Sequence, residues 1–160
     1  MMNFLQSLIY FMILPFRKVS VDVVFYAPTH FNRGENNENL LFEPLLRACR
    51  NNNISFIVFE EPSSSSTILR NNKSIPFDFM YYLIIFFRKL FRKEKDIIVI
   101  ENKIGRFLSK TFFCNFKYKN YIVLSKSMIS VFSSINKGSK LFDLQHGIIH
   151  TNKSDYFSNN

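Results

Sequence analysis

Residues 140–149 read Lys-Leu-Phe-Asp-Leu-Gln-His-Gly-Ile-Ile, a short apolar run that stops at Gln145, His146 and Gly147. A buried strand ending in a polar residue, a histidine and a glycine is how an open α/β sheet delivers a reactive side chain to the crevice at its carboxyl edge. The fold then turns on whether earlier strands, alternating with helices, build the sheet to which this edge belongs.

Working outward, four such runs precede it. Residues 22–27 (DVVFYA) are a β-branched and aromatic run ending at Pro28, which predicts a buried first strand. A polar turn with Thr29, His30, Asn32, Arg33 and Gly34 follows, and then Leu40, Leu41, Leu45, Leu46 and Cys49 recur at helical spacing. Pro44 either opens that helix or kinks it, since its missing N–H is tolerated only in the first turn. After an Asn51-Asn52-Asn53 turn suited to a helix end, residues 54–60 (ISFIVFE) predict the second strand. Residues 63–73 form a serine-rich polar stretch, read as a mobile surface loop. Residues 96–101 (DIIVIE), with four consecutive β-branched residues, predict a third strand buried on both faces, and a helix over about 103–113 follows. Residues 120–124 (NYIVL) predict the fourth strand, Ser125 an N-cap for a helix over 126–135, and Asn136-Lys137-Gly138 its stop. Residues 140–144 are the fifth strand. Alternation of this kind predicts an α/β domain over 19–150, with a Rossmann-like parallel sheet of about five strands, right-handed crossovers and helices on both faces.

Two apolar stretches stand outside this alternation. Residues 4–16 (FLQSLIYFMILPF) run straight into Arg17 and Lys18, and residues 75–87 (IPFDFMYYLIIFF) run into the basic 88–93. Each falls short of the ~18–20 apolar residues that span a bilayer, and the first lacks the basic start and small-residue cleavage site of a signal peptide. Both suit a helix in contact with a lipid surface, and both equally suit a helix packed on the protein's own core. With 47% apolar residues and 20 Phe but no Trp, the core must be packed largely with phenylalanine. Net charge is +9, concentrated in clusters beside the apolar runs, which suggests an anionic membrane surface as partner. No recognition motif accompanies the charge, so nucleic acid is not the expected partner. Cys49 and Cys114 lack metal-ligand spacing and read as reduced core thiols, pointing to the cytoplasm. Residues 1–18 are thus an apolar and basic amino-terminal segment and residues 151–160 a polar tail.

The run 141–149, closing a basic α/β domain whose first strand leads into Ala27-Pro-Thr-His-Phe-Asn-Arg-Gly34, resembles the amino-terminal half of bacterial glycosyltransferases of the two-Rossmann-domain (GT-B) type. The likeness is to the capsule, surface-polysaccharide and teichoic-acid group, which includes the CDP-glycerol glycerophosphotransferases. It covers most of the chain as architecture and residues 140–149 as motif. The resemblance implies an acceptor-binding domain of cell-surface polysaccharide synthesis, peripheral to the cytoplasmic face of the membrane, with a saccharide or lipid-linked acceptor. A nucleotide-activated sugar donor would be held by a second Rossmann domain, which another chain would supply, because this one stops at Asn160. A truncated half of this kind is expected to be inactive alone and to hold no cofactor or metal of its own.

In that frame His146 is the candidate catalytic base, since an imidazole with a pKa near 6.5 suits proton removal from an attacking hydroxyl. Gln145 would bind acceptor hydroxyls, and Gly147 would let backbone approach the ligand. Thr29, His30, Asn32 and Arg33 would line the acceptor site from the same edge, Arg33 by bidentate contact to phosphate or carboxylate. Glu60 and Glu61 end the second strand, which places one of them to point at the crevice; as neighbours on opposite faces they do not make an acid/base pair. The rival reading is a non-catalytic, membrane-associated Rossmann-like binding domain.

Overall fold

The computed structural model describes residues 2–34, 37–62, 70–71, 73–92, 94, 96–124 and 128–144. Its elements in chain order are α1 (Met2–Ile13), β1 (Val19–Ala27), α2 (Glu43–Asn51), β2 (Phe56–Glu60), β3 (Ile75–Pro76), α3 (Asp78–Leu90), α4 (Ile97–Thr111), β4 (Phe116–Val123), α5 (Ile129–Ile135) and β5 (Lys140–Asp143). Short 3-10 turns follow α1 and β1. The five strands form one all-parallel sheet in the order β3-β2-β1-β4-β5. This is the expected α/β class with a Rossmann-like sheet, helices covering both faces. Because the chain steps one way from β1 to β2 and the other way from β4 to β5, same-handed crossovers put α2 and α5 on opposite faces.

Period-two alternation divides the strands between two cores. Val24, Tyr26 and Phe59 face the larger one, with Phe11 from α1, Ile84 from α3 and Ile104 from α4. Val23, Phe25 and Ala27 face the smaller one, with Phe42 and with Leu46 and Cys49 of α2. Val19 and Val21 also face the larger core, so the alternation of β1 changes phase at Asp22. There the main-chain N–H groups of Asp22 and Val23 both donate to the Ser55 carbonyl, the mark of a local bulge.

Residues 96–101 are helical, which corrects their reading as the third strand. Asp96 caps α4 by accepting from the Ile98 N–H at 2.8 Å. The run then continues without a break, and Ile100, Ile104 and Leu108, four residues apart, supply its buried stripe. The edge position falls instead to the two-residue β3, where Pro76 is tolerated because an edge strand has N–H groups with no ladder partner to lose. The predicted helix over about 103–113 is the second half of α4.

Other departures are smaller. The strand before the Gln-His-Gly element forms, but as an exposed edge: all four residues of β5 are exposed, where a buried strand was expected. Pro44 lies in the first turn of α2 and opens it. Asn53 takes φ 53° just beyond the α2 C-cap, and Gly138 takes φ 94° after α5, as expected of turn residues that end helices. Cys49 is buried, but Cys114 is exposed, against its reading as a core thiol. Residues 63–69, 72 and Ser125 lie outside the described residues, and with them most of the predicted serine-rich loop and the predicted cap of α5.

The amino-terminal segment packs on the domain. Phe11 and Leu14 are buried in the larger core, and the Phe79 N–H donates to Ser7 Oγ at 3.0 Å, joining α1 to the first turn of α3. The opposite side of α1 exposes Met2, Leu5, Ile9 and Met12. Phe4 meets Tyr82 at 6.3 Å and Phe87 meets Phe107 at 5.1 Å, so the apolar exterior runs from α1 across α3 to α4. Tyr82, Phe86, Leu90, Ile97 and Ile98 are exposed along it. No helix among the described residues is long and apolar enough to cross a membrane.

Candidate functional site

The carboxyl edge is where an open parallel sheet offers a crevice, and here it is polar and tightly bonded. β1 ends at Ala27, Pro28 sets an extended step, and Thr29–Phe31 turn back in a 3-10 turn. The four candidate residues of this turn separate into two pairs. Thr29 and Asn32 point inward and are buried: Thr29 Oγ1 donates to the Glu61 carbonyl, and Asn32 Nδ2 donates to Glu60 Oε1. His30 and Arg33 point outward and are exposed, with the His30 ring 4.2 Å from that of Phe31. Arg33 Nε donates to the His30 carbonyl at 3.3 Å. Two of the four therefore brace the edge, and two are exposed on it.

Gln145, His146 and Gly147 lie outside the described residues. β5 leads toward them, ending at Asp143 on the same edge, and the Leu144 N–H donates to the Val123 carbonyl at 2.9 Å.

Of the two acids that the sequence places at the end of the second strand, Glu60 is the one that reaches the crevice. Its side chain is only 1% exposed, at the tip of β2, and it accepts from Asn32 Nδ2 and Ser74 Oγ, with the Asn71 N–H beside it. Burial pushes its pKa up, and these donors and the Arg70 charge offset only part of that. Glu60 walls a cavity of about 150 Å³ between the tip of β2, the turn after β1 and α2, floored by Phe42, Leu46, Phe56 and Val58. An acid closing an apolar strand was the available signal, but a strand-end acid in a sequence says nothing about how far its carboxyl is buried.

Glu61 turns to the other side. Its carboxyl lies beside the Tyr26 hydroxyl, and burial raises its pKa against the pull of that hydroxyl and of the Arg88 charge. Arg88 pairs with Glu101 of α4 at 2.6 Å; Glu101, also raised by burial, lies by Ser130 of α5. Arg70 bonds Asp78 Oδ2 at 2.5 Å and the Glu61 carbonyl at 2.7 Å, clamping the tip of β2 to the start of α3. A buried ion pair of this kind specifies geometry more than it stabilises, though breaking it by removing one partner costs about 3–5 kcal/mol. The tip of β2 thus turns one carboxyl into each layer of the protein, Glu60 buried and Glu61 half-buried.

Among the described residues no group of three or more His, Cys, Asp and Glu side chains is arranged to hold a metal ion. No protein-family model matches the chain, and neither a curated protein nor a solved structure matches it.

Proposed function

We propose that this chain is the acceptor-binding Rossmann-like domain of a GT-B-type glycosyltransferase of bacterial cell-surface polysaccharide synthesis, working at the cytoplasmic face of the membrane. The observation that carries the reading is the all-parallel β3-β2-β1-β4-β5 sheet. On its carboxyl edge the 29–33 turn, the tip of β2 and the end of β5, two residues before Gln145, share one rim. His146 acts there as base toward an acceptor hydroxyl, Gln145 and Gly147 hold the acceptor, and exposed His30 and Arg33 meet its polar or phosphorylated part. The nucleotide-activated donor is brought by a second Rossmann domain.

The membrane half of the reading is supported by surface chemistry. The apolar exterior of α1, α3 and the start of α4 is bordered by exposed Arg17, Lys18, Lys89, Arg92 and Lys103. Apolar residues entering the acyl boundary with basic residues at headgroup level is the arrangement of interfacial helices, each basic residue adding about 1 kcal/mol near an anionic surface.

Membrane extracts of cells carrying the gene in its native context test the catalytic half. His146→Ala should lower transfer of sugar from a nucleotide-activated donor to lipid-linked acceptor by ~10²-fold or more; an unchanged rate overturns it. The same apolar and basic exterior also favours a second reading, a non-catalytic membrane-associated binding domain. Vesicle binding by the chain, with no donor-dependent transfer requiring it, would select that one.

A further inference from the structure

A groove of about 340 Å³ opens along the outer side of α1. Gln6, Ile9, Ile13 and Arg17, three and four residues apart and so on one face, lie along it, and Leu14 and Val19 also line it. Ile9 and Ile13 remain 51% and 40% exposed, which makes the groove continuous with the apolar exterior of α1 and α3. Phe16, where the chain leaves α1, is 87% exposed, more than any other large apolar side chain among the described residues.

One end of this groove is cationic. Arg17 lines it and Lys18 follows, both exposed, and neither pairs with an acid among the described residues. Residues 1–21 contain no Asp or Glu, and the first acid, Asp22, is already held by Lys119 and Ser55. The Arg17 charge also reaches the half-buried Tyr10, another lining residue, and pulls its pKa down against the rise that burial causes. An occupant therefore needs an apolar chain for the isoleucine stripe and an anion for Arg17. A free phosphate supplies only the second. Seven residues line the groove, against the roughly 20–30 that one side of a stable protein–protein interface uses. The volume lies at the low end of the roughly 300–1,000 Å³ of ligand pockets, room for part of one acyl chain.

We propose that this groove binds one anionic phospholipid, its acyl chain against Ile9 and Ile13 and its phosphate at Arg17. Lys18 stands beside the headgroup, and the Phe16 ring enters the acyl boundary next to it. Such a site rests on the membrane reading of this exterior and makes one point on it selective for a negative headgroup.

The test is a titration of the full chain, ¹³C-labelled at isoleucine methyls, with monomeric dihexanoyl phosphatidylglycerol below its micelle-forming concentration. Saturable, one-to-one shifts of the Ile9 and Ile13 methyls are expected. Dihexanoyl phosphatidylcholine should bind roughly 5-fold more weakly, and inorganic phosphate should leave both methyls in place. Ile9→Ser should weaken binding by roughly 3–10-fold, whereas Met12→Ser, comparably exposed on the same helix but outside the groove, should not. Arg17→Gln should cost roughly 5-fold with phosphatidylglycerol and bring the two lipids level. All three positions are exposed, so the melting temperature should hold. Equal losses in Ile9→Ser and Met12→Ser would mean a diffuse apolar surface, and self-association without lipid that Ile9→Ser abolishes would give the groove to a second copy of the chain. Either result, or no methyl shift while wild type still binds phosphatidylglycerol vesicles, overturns the groove alone. A wild-type chain that fails to bind those vesicles at low salt overturns the membrane reading with it.

Discussion

The two layers on either side of the sheet differ in how they are filled. On the larger side four helices press onto the strands, and rings meet rings throughout: Phe77 alone touches Phe11, Tyr26, Phe59 and Phe132 at centroid distances of 5.3–5.8 Å. On the smaller side the nine-residue α2 and the turn after β1 leave a cavity edged by unsatisfied or desolvated polar groups. One layer is built for density and the other retains a space.

Substitutions can break or sharpen this contrast. The largest effect is expected from Phe77→Ala, which removes a fully buried ring from the dense layer and should lower unfolding free energy by about 3–5 kcal/mol in urea denaturation. Next is Gly105→Ala, on α4. A Cβ there would lie 2.5 Å from the Val131 carbonyl oxygen and 2.6 Å from Ser134 Cβ, so α4 and α5 must separate. A cost of about 1–3 kcal/mol is expected, despite the roughly 1 kcal/mol of helix propensity gained. A paired test follows: Val24→Ile, in the dense layer, should cost about 1–3 kcal/mol by overpacking, whereas Val58→Ile, beside the cavity, should stay within ~1 kcal/mol of wild type because the added methylene has room. Equal costs would remove the distinction between the layers.

Smaller effects appear in pH dependence, with opposite signs at opposite edges of the sheet. Glu60 has a folded pKa above its ordinary 4.5 because it is buried. Its contribution is intact below the unfolded value and lost as pH rises through the folded one. The unfolding free energy of wild type minus that of Glu60→Gln should therefore fall as pH rises above 4.5; a flat difference would contradict the burial. At the amino edge Asp22 is held down to about 2 by its hydrogen bond from Lys119, with further bonds from Ser55. Its contribution is present above 3.8 and lost as pH falls toward 2. Asp22→Asn should blunt only that acid limb, and by the least of these changes, since the pair is exposed.

Two similar stretches show how far residues alone specify this fold. DVVFYA and DIIVIE both open on aspartate and continue with apolar, largely β-branched residues. The first is the central strand, bounded by Pro28. The second is the first turns of a helix, because Asp96 bonds its own backbone and the apolar spacing continues at four residues through Ile104 to Leu108. Local β-propensity, a weak and context-dependent preference, lost to capping and to a period that lay beyond the six-residue run. The strand displaced from this position, Ile75–Pro76, is too short to carry any pattern. Strands β1, β2, β4 and β5 were legible because each is a compact apolar run next to a turn signal. At the carboxyl edge the turn after β1 was legible as polar, but not which residues turn inward. Thr29 and Asn32 are distinguished from His30 and Arg33 only by the 3-10 turn that rotates them. The cavity beside Glu60 was not legible at all, because it depends on three segments meeting.

The central claim is that the helical layer faces a membrane while the carboxyl edge stays open to ligand. Paramagnetic broadening by spin-labelled lipid tests it most directly, in anionic vesicles carrying the labelled chain. The account predicts broadening at the outer residues of α1 and α3, such as Leu5, Ile9, Met12, Phe86 and Leu90, with α2 and residues 29–33 spared. Broadening centred on α2 or the 29–33 turn, or none in anionic vesicles at low salt, would contradict it.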